Sequence, residues 1–223
     1  MPYRDVIPFT CNFDIAQEYS ATPGPFGWAI KDTSAVGAPT YLNITEDGGA
    51  GAFTLAATSE AEIVTLYQKD VLMWDLRKLD SVEWIAKVAG VDAVTTIVFG
   101  VGSAQNDTAD SVAYNAWFRM EGSASTTAVV AETDDATTDN DDKATGQTLA
   151  AVYKRFQIDF THGLADVRFF IDNDRVASGT TFNMSAAAAG QNVQPFMQIQ
   201  KASGTGVPAI TIARCHAVPK KVS

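Results

Sequence analysis

Apolar and polar positions along the chain alternate in short runs separated by turn-forming residues, the pattern of β-strands half-covered by a core. Ser81–Val88 predicts a strand with Val82, Trp84, Ala86 and Val88 on one face, and Glu83 and Lys87 on the other, solvent-facing side. Val94–Phe99 is apolar and β-branched, as expected of a central strand buried on both faces. Further strands are predicted over Ala113–Met120 (with Tyr114, Trp117 and Phe118), Ala128–Thr133 and Phe156–Phe160. Val167–Ile171 and Val176 flank Asp172-Asn173-Asp174-Arg175, a hairpin signature, because Asn and Asp tolerate the left-handed backbone of a tight turn. Val193–Gln200 and Ala209–Val218 complete the set.

Turn-rich segments lie between these strands, at Ala21–Gly27 and Glu46–Gly51, with a long aspartate-rich polar stretch over Thr133–Thr148. No segment has a sustained helical period; Ala186–Ala189 predicts one short helical turn stopped by Gly190. Many short strands with turns between them point to an all-β sandwich or jelly roll rather than βαβ units. There is no internal repeat and no break in composition. The expected organisation is an irregular N-terminal arm over residues 1–25 and a single sandwich domain over 26–223.

Composition narrows the function classes. With 223 residues, 46% of them hydrophobic, the chain can bury a core without disulfide or metal staples. No apolar run reaches the ~20 residues of a membrane-spanning helix. The start, Met-Pro-Tyr-Arg-Asp-Val-Ile-Pro-Phe, lacks the apolar core of a secretory signal. The net charge of −10 argues against nucleic-acid and anionic-membrane partners. The basic pairs Arg77-Lys78, Lys154-Arg155 and Lys220-Lys221 are too scattered to form a groove. Cys11 and Cys215 read as free thiols of a reducing cytoplasm; a bridge is geometrically conceivable, since terminal strands are often neighbours in sandwiches.

Candidate chemistry is sparse. The histidines, His162 and His216, have no nucleophile motif beside them. Glu60/Glu62 and Glu132/Asp134 have the two-residue spacing that puts acids on one strand face, but neither has a third acid at the next same-face position, and Glu60 and Glu62 read as solvated. The run Asp134–Asp142 offers oxygen ligands for calcium but lacks the EF-hand pattern, so a solvated loop is the plainer reading; Asp107 and Asp110 could join it only if two loops meet. Trp84 and Trp117 read as core, leaving Trp28 and Trp74 as possible sugar-stacking surfaces. No catalytic, cofactor-binding or metal residue is therefore assigned, no cofactor is expected, and the protein is expected not to be an enzyme.

The segments Phe156–Phe160, Asp166–Asp172, Arg175–Ala177, Gln194–Gln198 and Ala209–Ala213 resemble the concanavalin A-like jelly-roll superfamily. In that superfamily a strand, an F-Y-I-D-G hairpin, a strand with a proline and a closing strand recur in this order; here Asn173 stands where glycine is usual. The resemblance spans roughly residues 70–218 and implies two antiparallel sheets, with no metal ligands or paired-acid motif to carry over. Gly27–Thr33, Ser59–Glu62, Phe99–Asp107 and Ala131–Asp135 resemble tailed-phage virion structural proteins. That resemblance implies a capsid decoration protein, homo-oligomeric and in contact with the major capsid protein or other virion proteins, located in the virion after assembly in the host cytoplasm. The alternative is a lectin-like carbohydrate-binding module or a fibre or spike subunit.

Overall fold

The computed structural model describes residues 8–14, 16–24, 27–187 and 191–220, and these form strands joined by turns and three single turns of 3-10 helix. In chain order the strands are β1 (Phe9–Asn12), β2 (Tyr19–Ser20), β3 (Trp28–Asp32), β4 (Thr40–Ile44), β5 (Ala50–Thr54), β6 (Glu62–Tyr67), β7 (Trp74–Asp75) and β8 (Leu79–Val88). They continue with β9 (Thr95–Gly102), β10 (Asn115–Glu121), β11 (Ala128–Asp134), β12 (Asp139–Thr148), β13 (Ala150–Asp159), β14 (Arg168–Ile171), β15 (Asp174–Val176), β16 (Asn192–Lys201) and β17 (Ala209–Pro219). One sheet runs β15-β14-β13-β8-β17-β5-β4, with β1 added on β17; the other runs β12-β11-β10-β9-β16-β6-β3-β2, with β7 added on β16. Every pairing is antiparallel except β2 with β3. The fold is the all-β jelly-roll sandwich expected from the strand pattern.

Alternation decides which side chains make the core. Val82, Trp84, Ala86 and Val88 of β8 are all 3% exposed or less. They meet Ile97, Phe99 and Val101 of β9 and Ala116, Phe118 and Met120 of β10 from the facing sheet. An aromatic series, Phe13–Trp28–Trp84–Phe99–Phe118–Phe169–Phe182, runs through the interior in successive ring contacts. The Trp84 indole N–H donates to the Gly100 carbonyl at 3.2 Å, so the one polar atom of this ring is satisfied across the sandwich. The β14–β15 turn forms as predicted, with Asp172 and Asn173 at φ of 53° and 74°.

Gly100 also lets β9 and β10 sit together. A Cβ there would lie 2.3 Å from the Ala116 carbonyl oxygen and 2.7 Å from the Trp117 Cα, both backbone atoms of the neighbouring strand. Gly100→Ala is expected to cost about 1–3 kcal/mol by overpacking. Urea denaturation reads this directly, and a loss within ~0.5 kcal/mol, the range of a neutral surface change, would contradict it.

Several sequence expectations need correction. Glu83 points away from the core but is not solvent-facing: it is buried between Arg155 and Arg214, and both guanidiniums bond its carboxylate. The polar stretch is not a loop, because Asp139–Thr148 is β12, a sheet-edge strand with few apolar contacts to mark it. Part of the expected irregular arm is ordered as strand: Phe9–Asn12 pairs with Arg214–Ala217, and Tyr19–Ser20 with Trp28–Ala29. Four and two residues are too few for alternation to show. The helical turn expected at Ala186–Ala189 runs beyond the described residues.

Candidate functional site

The nine-stranded sheet presents a second face, away from the core, that is neither bare nor uniformly polar. Val98, Trp117 and Phe196 project there, and the segment between β9 and β10 folds back to cover them with Ala109 and Val112. Polar side chains on alternate positions of β16 hold that segment down. Gln194 donates to Asp70 Oδ1 at 2.8 Å and to the Ser103 carbonyl at 2.9 Å. Gln198 accepts from Thr65 at 3.0 Å and donates to the Asp107 carbonyl at 3.1 Å. Lys31 pairs with Asp107 at 2.6 Å. Gln194, Gln198 and Thr65 are buried polar groups, and these bonds offset the cost of taking them out of water.

Beside this segment opens a cleft of about 540 Å³. Its floor carries Thr96 of β9, Arg119 and Glu121 of β10 and Gln200 of β16, and its rim carries Asp107 and Asp110. Arg119 is the centre of the charge arrangement. Its guanidinium bonds Asp110, Glu121 at 2.6 Å and Glu132 at 3.2 Å, and its Nε lies 4.0 Å from Asp142. Burial works against the arginine's charge, but the Asp110 bond and the carboxylates of Glu132, Asp110 and Glu121 outweigh it and raise its pKa. Glu132 behaves oppositely. It is 2% exposed, and burial lifts its carboxyl to about 7 although Arg119 and Trp117 pull it down. Glu121, bonded first to Ser123 and then to Arg119, is held below the usual range. Burial, reinforced by Asp139, raises Asp141.

The Asn106–Asp110 loop does meet the acidic stretch, but at Arg119 and through strand β12: Asp110 of the loop and Asp142 of β12 both converge on the guanidinium. Asp135 is spent on the backbone, accepting from Thr137 at 3.1 Å, Thr138 at 2.6 Å and Ala186 at 2.9 Å. Among the described residues no group of three or more His, Cys, Asp or Glu is placed to hold a metal ion.

The other candidates lie elsewhere. Glu62 is buried against Lys201 and is not solvated. Glu60 clamps a loop: it accepts from the Thr58 hydroxyl and from the backbone N–H groups of Ala35, Val36 and Gly37, and these bonds, Thr58's first, lower its pKa to about 2. His162 sits beside Arg168 and His216 beside Thr10, neither at the cleft. Trp28 is core, and Trp74 is half-buried in a T-shaped contact with Phe9, away from the cleft. Arg119 was missed in the sequence. Its signal was a lone charge inside the apolar strand Ala-Trp-Phe-Arg-Met, a place that demands buried partners.

The chain is similar in structure to a protein of unknown function from Shewanella oneidensis MR-1, with a TM-score of 0.63, 9% identity and coverage of 99% of this chain and 90% of that one. It is also similar to the carbohydrate recognition domain of Emp47p, with a TM-score of 0.53, 12% identity and coverage of 82% and 88%. The fold is a concanavalin A-like jelly roll. A third similar structure is alginate lyase A1-II′ of polysaccharide lyase family 7, with a TM-score of 0.51, 12% identity and coverage of 81% and 84%. No family model and no curated protein matches the sequence.

These neighbours correct one expectation. The jelly roll was expected not to be an enzyme because no catalytic motif is readable in its sequence. The alginate lyase has the same fold at 12% identity, a distance at which motifs do not transfer, so the missing motif does not argue against catalysis.

Proposed function

We propose that this jelly roll is a carbohydrate-binding domain, with its ligand in the cleft over the nine-stranded sheet. The observation that carries this reading is the cleft: about 540 Å³, with donors and acceptors of Arg119, Glu121, Gln200 and Thr96 fixed on three adjacent strands. Strand-borne polar groups whose partners already hold them lose little freedom when a ligand's hydroxyls arrive. The neighbours add support at the level of fold, since one is a carbohydrate recognition domain and another acts on alginate. The charged residues lining the cleft, Arg119 and Lys201 against Asp107, Asp110 and Glu121, leave it slightly acidic, which favours neutral glycans over uronates. The capsid-decoration role expected from the phage resemblance gains no support from the fold or from these neighbours, and the lectin-like alternative is preferred.

A glycan array followed by calorimetry on the best neutral oligosaccharide tests the reading. Gln200→Ala is expected to weaken binding about tenfold, the loss of roughly one hydrogen bond, with stability little changed. An array without any bound glycan, or binding untouched by Gln200→Ala, would count against it.

A further inference from the structure

We propose that Cys11 and Cys215 are a redox-modification site that closes into a reversible disulfide between the first strand and the last. The two residues are direct partners in the antiparallel β1–β17 register. Directly opposed residues project to the same side of a sheet, and both thiols pack on the same core cluster. The geometry also fixes which kind of pair they are. Phe13 N–H donates to the Ala213 carbonyl at 3.0 Å, and the two-residue alternation of an antiparallel ladder then makes Cys11 and Cys215 a hydrogen-bonded pair. Such pairs have Cα atoms ~5.5 Å apart, inside the ~4.4–6.8 Å that a disulfide spans. Their Cβ atoms, at about 4.5–5.5 Å, stand wider than the ~3.5–4.5 Å the bridge prefers. Closing the bond therefore strains the ladder, and a strained disulfide is readily reduced.

The surroundings divide the roles. Cys11 is partly exposed; its sulfur accepts the Trp28 indole N–H at 3.2 Å and donates to Gln17 at 3.5 Å. Cys215 is fully buried behind it. Cys11 is thus the thiol an oxidant reaches, and Cys215 the one that resolves it. With glutathione disulfide as oxidant, the Cys11 thiolate attacks one of its sulfurs, forming a Cys11–glutathione bond and releasing one glutathione. Cys215, its proton passed to solvent, attacks the Cys11 sulfur and releases the second. Two protein thiols lose two electrons, and one glutathione disulfide becomes two glutathiones. Burial raises both thiols, so the exchange belongs in mildly alkaline buffer.

The test treats the full folded chain with a glutathione redox series, then acid quench, alkylation and peptide mapping. The expected result is a monomer lighter by two hydrogens, with no alkylated cysteine, a linked Cys11–Cys215 peptide pair, and restoration by dithiothreitol. Its thermal midpoint should rise by ~5–10 °C, because the bridge closes nearly the whole chain into one loop. Cys11→Ser, treated in the same way, should keep Cys215 alkylatable. Three results would overturn the proposal: two thiols persisting under the most oxidising buffer, a product that stops at the Cys11–glutathione adduct, or a bridge found only between molecules.

Discussion

Lys201→Met is expected to be among the most damaging single substitutions in the chain, costing about 3–5 kcal/mol. Lys201 and Glu62 are direct cross-strand partners on β16 and β6, their charged groups 3.1 Å apart, and both side chains are 0% exposed. The lysine ammonium also donates to the carbonyls of Ala56 and Thr58, and the carboxylate accepts the Ala56 N–H, so the pair ties the loop after β5 to the sheet. Methionine keeps the apolar stem but leaves the Glu62 carboxylate in the interior with one backbone donor. Removing both charges, with Glu62→Leu and Lys201→Met together, should recover most of the loss, since no uncompensated ion then remains. Urea denaturation of the two single variants and the double variant measures this coupling. A single variant within about 1 kcal/mol of the parent would show the pair to be worth no more than a surface salt bridge.

Glu132→Gln is expected to make the protein more stable above neutrality. The folded-state carboxyl of Glu132 stands at about 7, against 4.5 for an ordinary glutamate. A raised acid binds its proton more tightly folded than unfolded, so its contribution is largest below the unfolded value. That contribution falls as pH rises through the window from 4.5 to about 7 and is flat above it. Across that window the loss is on the order of 3 kcal/mol. Asp141 and Asp142 are also raised by burial and add slope of the same sign, so the comparison of variant with parent isolates Glu132. Unfolding free energies at about pH 5 and about pH 8 supply the test. An equal difference between variant and parent at both values would mean that Glu132 does not titrate in this window.

Legibility in the sequence followed how plainly each strand is half-buried. β8 and the β14–β15 hairpin were readable because Val82, Trp84, Ala86 and Val88 alternate with polar positions, and because Asp172-Asn173 supplies the turn. β6 was not, since Glu62, Val64, Thr65 and Leu66 are all buried and alternation is lost where both faces are covered. β12 carries edge-strand polarity that imitates a loop. The cleft was illegible for a different reason. Arg119 at its edge and the acids around it, Asp110, Glu121, Glu132 and Asp142, lie on four separate segments, and pairing of β10 with β11 and β11 with β12 brings the strand-borne ones together. Glu132 was noticed for its spacing to Asp134, yet its chemistry comes from burial, and its ionic partner is Arg119, thirteen residues earlier in the chain.

The sheet order has a consequence for synthesis on the ribosome. β16 lies between β9 and β6, and β17 between β8 and β5, so the last two strands fill the middle of both sheets. Until they emerge, β8 and β9 each lack one ladder partner and the interior stays open along its centre. Closure must then bring together segments distant in sequence, which makes folding slow and late. A nascent chain stalled before residue 192 carries the outer parts of both sheets without their central strands, so the sandwich cannot close until β16 and β17 have emerged.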